Sequence, residues 1–163
     1  MSSPTSSRRR SAGVGLIVLL ALRFVLGVYY SLAVPPWESY DEPGHFQYAR
    51  YLAVTGHLLD PNDPEAQSIW SRFQPPLYYL LVAPFIASFD LGQHALEPEL
   101  NPYFTGGIAG LNYAVAFASP TPDQSAQLAA LTTMRLVGVV ISTASTIFMF
   151  LAARRLQALT PRG

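Results

Sequence analysis

The chain has 163 residues, half of them hydrophobic, 12% charged and none of them cysteine, with a formal net charge of zero. Without cysteine neither a disulfide framework nor a thiolate metal site is open to it. Its apolar residues come in blocks, a pattern of membrane proteins rather than of a soluble domain.

The zero net charge conceals a strict segregation. All ten acids lie between Glu38 and Asp123, where Arg50 and Arg72 are the only bases, so this stretch carries −8. The other eight arginines flank it, and lysine is absent.

Residues 1–11 are Ser-rich with Arg8, Arg9 and Arg10 adjacent, which predicts a disordered cytoplasmic tail held by the positive-inside bias. A nucleic-acid role is the rival reading, but three arginines directly before an apolar run argue for a membrane and against nucleic acid. Residues 12–34 carry one charge, Arg23, and at about 1.5 Å per residue reach across a hydrocarbon core of about 30 Å. This predicts a first transmembrane helix, with Tyr29, Tyr30 and Trp37 at headgroup level. Ser31-Leu32-Ala33 offers the small residues of a signal-peptide cleavage site before Val34 as the alternative, against which stand the length of the run and Arg23 within it. An arginine at mid-span faces a protein interior or aqueous cavity, unless it snorkels.

Pro35 and Pro36 end the span, and Asp41-Glu42-Pro43 opens a surface helix near 42–55, with a carboxylate as its cap and Gly56 as its stop. Phe46, Ala49, Leu52 and Ala53 form its apolar stripe, and its tyrosines are expected at the membrane interface. Asp41, Glu42 and His45 fall three and four apart, so they converge on one patch. Residues 60–71, rich in Pro, Asn and Asp, read as a loop with solvated acids.

Pro75 and Pro76 open a second apolar run, Leu77 to Phe89, interrupted by Pro84. Its length of about 20 Å as a helix is short of a bilayer. A crossing there would also carry Arg154, Arg155 and Arg162 to the outside, against the arginine bias. It therefore reads as a juxtamembrane helix near 76–90, with a true span through Leu91 as the alternative. Gly92 to Gln127 is rich in Gly, Pro, Asn and aromatics, and Asn101-Pro102-Tyr103-Phe104 reads as a packed turn.

Residues 131–153 form a second transmembrane helix with Arg135 near its outer end, and residues 154–163 form a cytoplasmic tail. Gly138, Ser142 and Thr146 recur every four residues and offer a face for close helix packing. The predicted fold class is an all-α membrane protein, two transmembrane helices flanking an extracytoplasmic loop, residues 35–130, with two juxtamembrane helices. The predicted location is the inner membrane, with both termini cytoplasmic.

This order of elements resembles the N-terminal part of the GT-C membrane glycosyltransferases, most closely the family of protein O-mannosyltransferases and the lipid A aminoarabinose transferase. Their first external loop carries an Asp-Glu pair, matched here by Asp41 and Glu42. A later His-Pro-Pro-Leu or Glu-Lys-Pro element is matched by Gln74-Pro75-Pro76-Leu77, with glutamine in place of the histidine or acid. The likeness runs from about Ala12 to Leu156. Family members continue through further membrane helices, so the resemblance implies that the chain is an N-terminal fragment, inactive alone, whose partners include those helices and the bilayer.

The resemblance implies inverting transfer of a sugar from a polyprenyl-phosphate donor to a hydroxyl acceptor. Such a reaction needs a base for the acceptor and positive charge for the departing phosphate. Asp41 is the expected base, with Glu42 as a neighbour that raises its pKa. Arg23, Arg50, Arg72 and Arg135 are the available phosphate partners, Arg135 the best placed. Gln74 and His45 complete the substrate-binding set. A divalent cation shared by His45 and a carboxylate is the cofactor to test, beside a simple hydrogen bond from the imidazole. The reading from a different class is a non-catalytic membrane protein whose external loop binds lipid or a partner helix.

Overall fold

The computed structural model describes residues 4–39, 41–92, 95–96, 101 and 121–159. The acids Glu97 and Glu99 and the expected turn at Pro102-Tyr103-Phe104 lie outside them. Among the described residues the structure is helical without strands: α1 Pro4–Ala33, α2 Glu42–Thr55, α3 Pro64–Ser68, a 3-10 turn Trp70–Phe73, α4 Leu77–Ile86 and α5 Pro122–Leu159. The chain divides into an apolar unit, residues 1–33 with 136–163, and a loop unit, residues 34–135.

In the apolar unit, Gly13–Ala33 of α1 is long and apolar enough to cross a membrane, as is Gln124–Leu159 of α5. Val14, Ile17, Leu22, Val25, Leu26 and Tyr29 are all exposed along α1. A helix that is apolar all round with no protein over it calls for lipid or other helices around it. The helix also differs from the sequence reading at its start, since it already includes residues 4–11, expected as a disordered tail. Arg23 is exposed on α1 rather than turned into this chain's own interior. Gly27 lies close to α5, where an added Cβ would stand 2.9 Å from the methyl groups of Val139. Ser142 and Thr146 donate to the carbonyls of Val139 and Ser142, both at 3.0 Å, so hydroxyls in an apolar segment are satisfied within their own helix.

The loop unit has its own core. Phe46, Ala49 and Leu52 of α2 are buried with Tyr79, Val82, Ala83 and Ile86 of α4, a stripe on each helix at three-to-four spacing. Tyr48 and Tyr51, expected at a membrane interface, are buried in this core at 4% and 3% exposure. The reason is visible in the partners: Tyr48 stacks on Tyr79 with centroids 3.9 Å apart, and Tyr51 donates to Asp63 Oδ2 at 2.8 Å. Ala130, Leu131 and Met134 of α5 are buried as well. The first residues of the predicted second span thus pack within the loop unit, and α5 starts earlier, at Pro122.

Gly56 ends α2 in the left-handed conformation, φ 69°, with its N–H on Leu52 O, as its position after the stripe predicts. The segment expected as a solvated loop is instead structured. Asp63 caps α3 by accepting from Glu65 N at 2.9 Å, and Glu65 pairs with Arg50. Two local conflicts with propensity are resolved by packing. Gly44, inside α2, lies against the Trp70 indole so closely that a Cβ would overlap the ring. Trp37 adopts φ 68° although it is not glycine, in a turn that Glu38 N closes onto Pro35 O at 3.5 Å. That conformation costs an L-residue about 1–2 kcal/mol, offset here by burial of the indole against Phe46.

Candidate functional site

Helix α2 begins where the chain leaves the Trp37 turn, and its first turn lines a cleft of about 620 Å³ with Gln74, Pro75, Leu77, Tyr78 and Tyr79 from the α4 side and Met134 and Arg135 from α5. The adjacent acids Asp41 and Glu42 leave this turn in different directions and meet different chemistry.

Glu42 turns inward. Its Oε1 and Oε2 accept from Arg135 Nε at 2.6 Å and Arg135 Nη2 at 2.7 Å, and Oε2 also accepts from Trp37 N at 2.8 Å. Arg135 further donates to Val34 O at 2.7 Å and Pro35 O at 3.1 Å. Both oxygens of Glu42, expected as a catalytic or tuning carboxylate, are taken up in these bonds. The same bonds pair Arg135, expected as a phosphate partner, with a bidentate carboxylate.

Arg50, also expected as a phosphate partner, is bonded elsewhere. Its side chain is buried, with Nε on Leu91 O at 3.0 Å, Nη2 on Gly92 O at 2.6 Å and Nη1 on Glu65 Oε1 at 2.6 Å. It clamps α2 to α3 and to the chain after α4, away from the cleft. Arg72 donates to Gln67 O and covers the Phe73 ring, also outside the cleft.

Asp41 remains open. Its side chain is 61% exposed and makes no capping bond to α2, contrary to the expected N-cap, because its backbone is already helical at φ −95°, ψ −9°. A capping residue needs extended backbone to fold its carboxylate back over the first amides. Asp41 Oδ2 stands 3.4 Å from His45 Nε2, and His45 Nδ1 lies 2.6 Å from the Tyr79 hydroxyl. The helical spacing thus brings Asp41 and His45 together and leaves Glu42 out. Among the described residues no three His, Asp or Glu side chains group to hold a metal ion. Asp41 and His45 alone offer two ligands.

No family model, curated protein or solved structure matches the chain.

Tyr78 and Tyr79 also line the cleft, with Tyr48 stacked on Tyr79, and reading the sequence for acids and arginines missed them. Burial pushes the Tyr79 hydroxyl up to about 12, so it stays protonated. Burial also raises Tyr78, with the Glu42 charge adding to it, and burial raises Tyr48. Ser71, behind Tyr79, donates to Gly44 O at 2.7 Å. The available signal was a tyrosine pair at the start of an apolar helix, where successive side chains point about 100° apart and only one enters the core. Gln74 lines the cleft. Among the described residues that line the cleft, Glu42 and Arg135 pair with each other and the Asp41 carboxylate is the exposed charge, 3.4 Å from His45 Nε2. Its remaining walls, Pro75, Leu77, Tyr78 and Met134, are mostly apolar.

Proposed function

We propose that this chain is the first-loop module of a GT-C-type glycosyltransferase, which moves a hexosyl or pentosyl unit from a polyprenyl phosphate to a hydroxyl acceptor. In this reading it sits in the inner membrane with both termini cytoplasmic and residues 35–130 outside, the arrangement that the −8 stretch and its flanking arginines favour. The observation that carries the proposal is the open Asp41 carboxylate on a mostly apolar cleft, beside an Asp-Glu partner that is locked away.

Asp41 takes the proton of the acceptor hydroxyl as that oxygen bonds to the anomeric carbon. The bond from that carbon to the phosphate oxygen breaks, and polyprenyl phosphate leaves with the electron pair. General-base action of this kind contributes about 10²-fold to 10⁴-fold. Arg50 and Arg135 are committed to carboxylates and carbonyls, so the charge that steadies the phosphate comes from other helices of the enzyme.

The test is sugar transfer from a polyprenyl-phosphate donor in membranes of cells expressing the intact gene product. Asp41→Asn should lower the rate about 10²-fold to 10⁴-fold with the protein retained in the membrane. Full transfer by Asp41→Asn would overturn the base assignment. Reporter fusions near Asp63 and Thr121 should read as external, and a cytoplasmic report from Thr121 would mean that α4 crosses the membrane.

One observation favours a non-catalytic, lipid-binding loop. Phe73, Leu77, Leu81 and Phe85 are exposed at 84%, 67%, 46% and 58%, an apolar surface that suits the headgroup boundary. Absence of transfer by the wild type, with quenching of a Trp placed at Phe85 by brominated lipid, would select it.

A further inference from the structure

At the midpoint of the 21-residue apolar segment Gly13–Ala33 stands its one charged residue, Arg23. Either end of that segment is about 15 Å away along the helix. Arginines near the ends of a membrane helix snorkel to the headgroups, whereas one at the middle faces a protein interior and pairs there. This chain supplies no such partner: the Arg23 side chain is exposed, and among the described residues its guanidinium has no hydrogen bond or ion pair. A guanidinium offers charge and donors only, so the group that fits it is an anion with acceptor oxygens.

Composition limits where that anion comes from. All ten acids lie between Glu38 and Asp123, so neither apolar span holds a carboxylate. A second copy of the chain would bring the same two spans and the same lack. Spacing defines the face concerned. Leu19, Arg23, Leu26 and Tyr30 follow one another at four, three and four residues, which sets them on one stripe of α1. Leu19, Leu26 and Tyr30 are exposed at 53%, 45% and 60%. Gly27, one turn beyond Arg23, makes the close approach to Val139 of α5, so the stripe borders that seam without being covered by it.

We propose that this stripe is the docking face for a further membrane helix of different sequence, one that carries an Asp or Glu at mid-bilayer to pair with Arg23. This rests on the reading of α1 as a membrane span. A carboxylate and a guanidinium are each costly at that depth, and pairing offsets both. It also fixes register, since the acid must stand level with Arg23 while Leu19, Leu26 and Tyr30 supply the apolar packing on either side.

The test uses the full chain in phosphatidylcholine vesicles, with a fluorophore on a cysteine added after Gly163. The probe is a labelled, Lys-flanked polyleucine transmembrane helix with one Glu at its centre. Energy transfer should show this helix associating about tenfold more tightly than the same helix with Leu at its centre. Arg23→Leu should erase that preference while the chain stays inserted. Leu26→Ala, on the stripe, should weaken binding of the Glu helix, and Val25→Ala, on the opposite side of α1, should not.

Equal association of the Glu and Leu helices with the wild type overturns the proposal, as does a Glu preference that survives in Arg23→Leu or is weakened by Val25→Ala instead of Leu26→Ala. Contact between the guanidinium carbon-13 and lipid phosphorus-31 in solid-state NMR, assigned by its loss in Arg23→Leu, would place the charge at the headgroups and overturn it too. The readings fail separately. Absence of sugar transfer with the Glu preference intact refutes the transferase and leaves the docking face standing, whereas an α1 found outside the bilayer removes the span and this inference with it.

Discussion

Glu42 and Arg135, 93 positions apart, hold each other through two bonds of 2.6 and 2.7 Å, with side chains only 10% and 13% exposed. The pair joins the start of α2 to α5, and Arg135 also gathers the carbonyls of Val34 and Pro35. Asp41 is left as the open member of the acidic pair because Glu42 is taken.

Removing one partner of this pair leaves the other charged and nearly buried. Glu42→Gln should therefore cost about 3–5 kcal/mol, read by thermal unfolding in detergent micelles. The double variant Glu42→Gln with Arg135→Met should be more stable than Glu42→Gln alone, since the stranded charge is gone. Additive losses would show that the two residues act independently.

Trp37 offers a test in which the smaller side chain is better tolerated. Trp37→Ala loses the indole packing on Phe46 and keeps a Cβ at φ 68°, for a loss of about 3–5 kcal/mol. Trp37→Gly loses the same packing and relieves the left-handed strain, so it should be the more stable of the two by about 1 kcal/mol. Equal melting temperatures would mean that the turn relaxes in either variant.

Arg50 uses a planar fork to reach three acceptors on two segments. Lysine keeps the charge without the fork, so Arg50→Lys should lose about 2 kcal/mol or more, with faster proteolysis near Leu91. Glu65→Gln should be milder, because the Glu65 side chain is 46% exposed and water reaches that end of the pair. A fully stable Arg50→Lys would show that charge alone suffices.

The Tyr51–Asp63 bond predicts an acid limb in stability. The Tyr51 hydroxyl, followed by Glu65 N, holds the Asp63 carboxyl below its usual range. The folded state thus binds that proton less readily than the unfolded chain. Stability from this group is complete above the ordinary carboxylate pKa and is lost as pH falls through the depressed folded value. Tyr51→Phe should flatten this part of the profile below about pH 4, measured as melting temperature against pH. An unchanged acid limb would place its origin elsewhere.

Much of the architecture is legible in the sequence, because it depends on local properties. Block hydrophobicity marks two helices long enough to span a bilayer, the stripe from Phe46 to Ala53 marks α2, and Gly56 marks its end. The spacing of Asp41 and His45 likewise foretells their meeting, since a helix sets that distance by itself.

What only the tertiary structure decided is which polar group answers which. Nothing local separates Asp41 from Glu42, or tells whether Arg50 and Arg135 wait for a phosphate or are already paired. Each of those outcomes depends on a partner elsewhere in the chain: Arg135 for Glu42, the carbonyls of Leu91 and Gly92 for Arg50, and the Tyr79 hydroxyl for His45. Tyrosines expected at a lipid interface became core residues for the same reason, since a ring that is apolar in body and polar at its tip suits either setting until a stacking partner and an acceptor come within reach. Periodicity along a helix reports which face is buried, whereas the charge left open in a cleft depends on contacts that close only when distant segments meet.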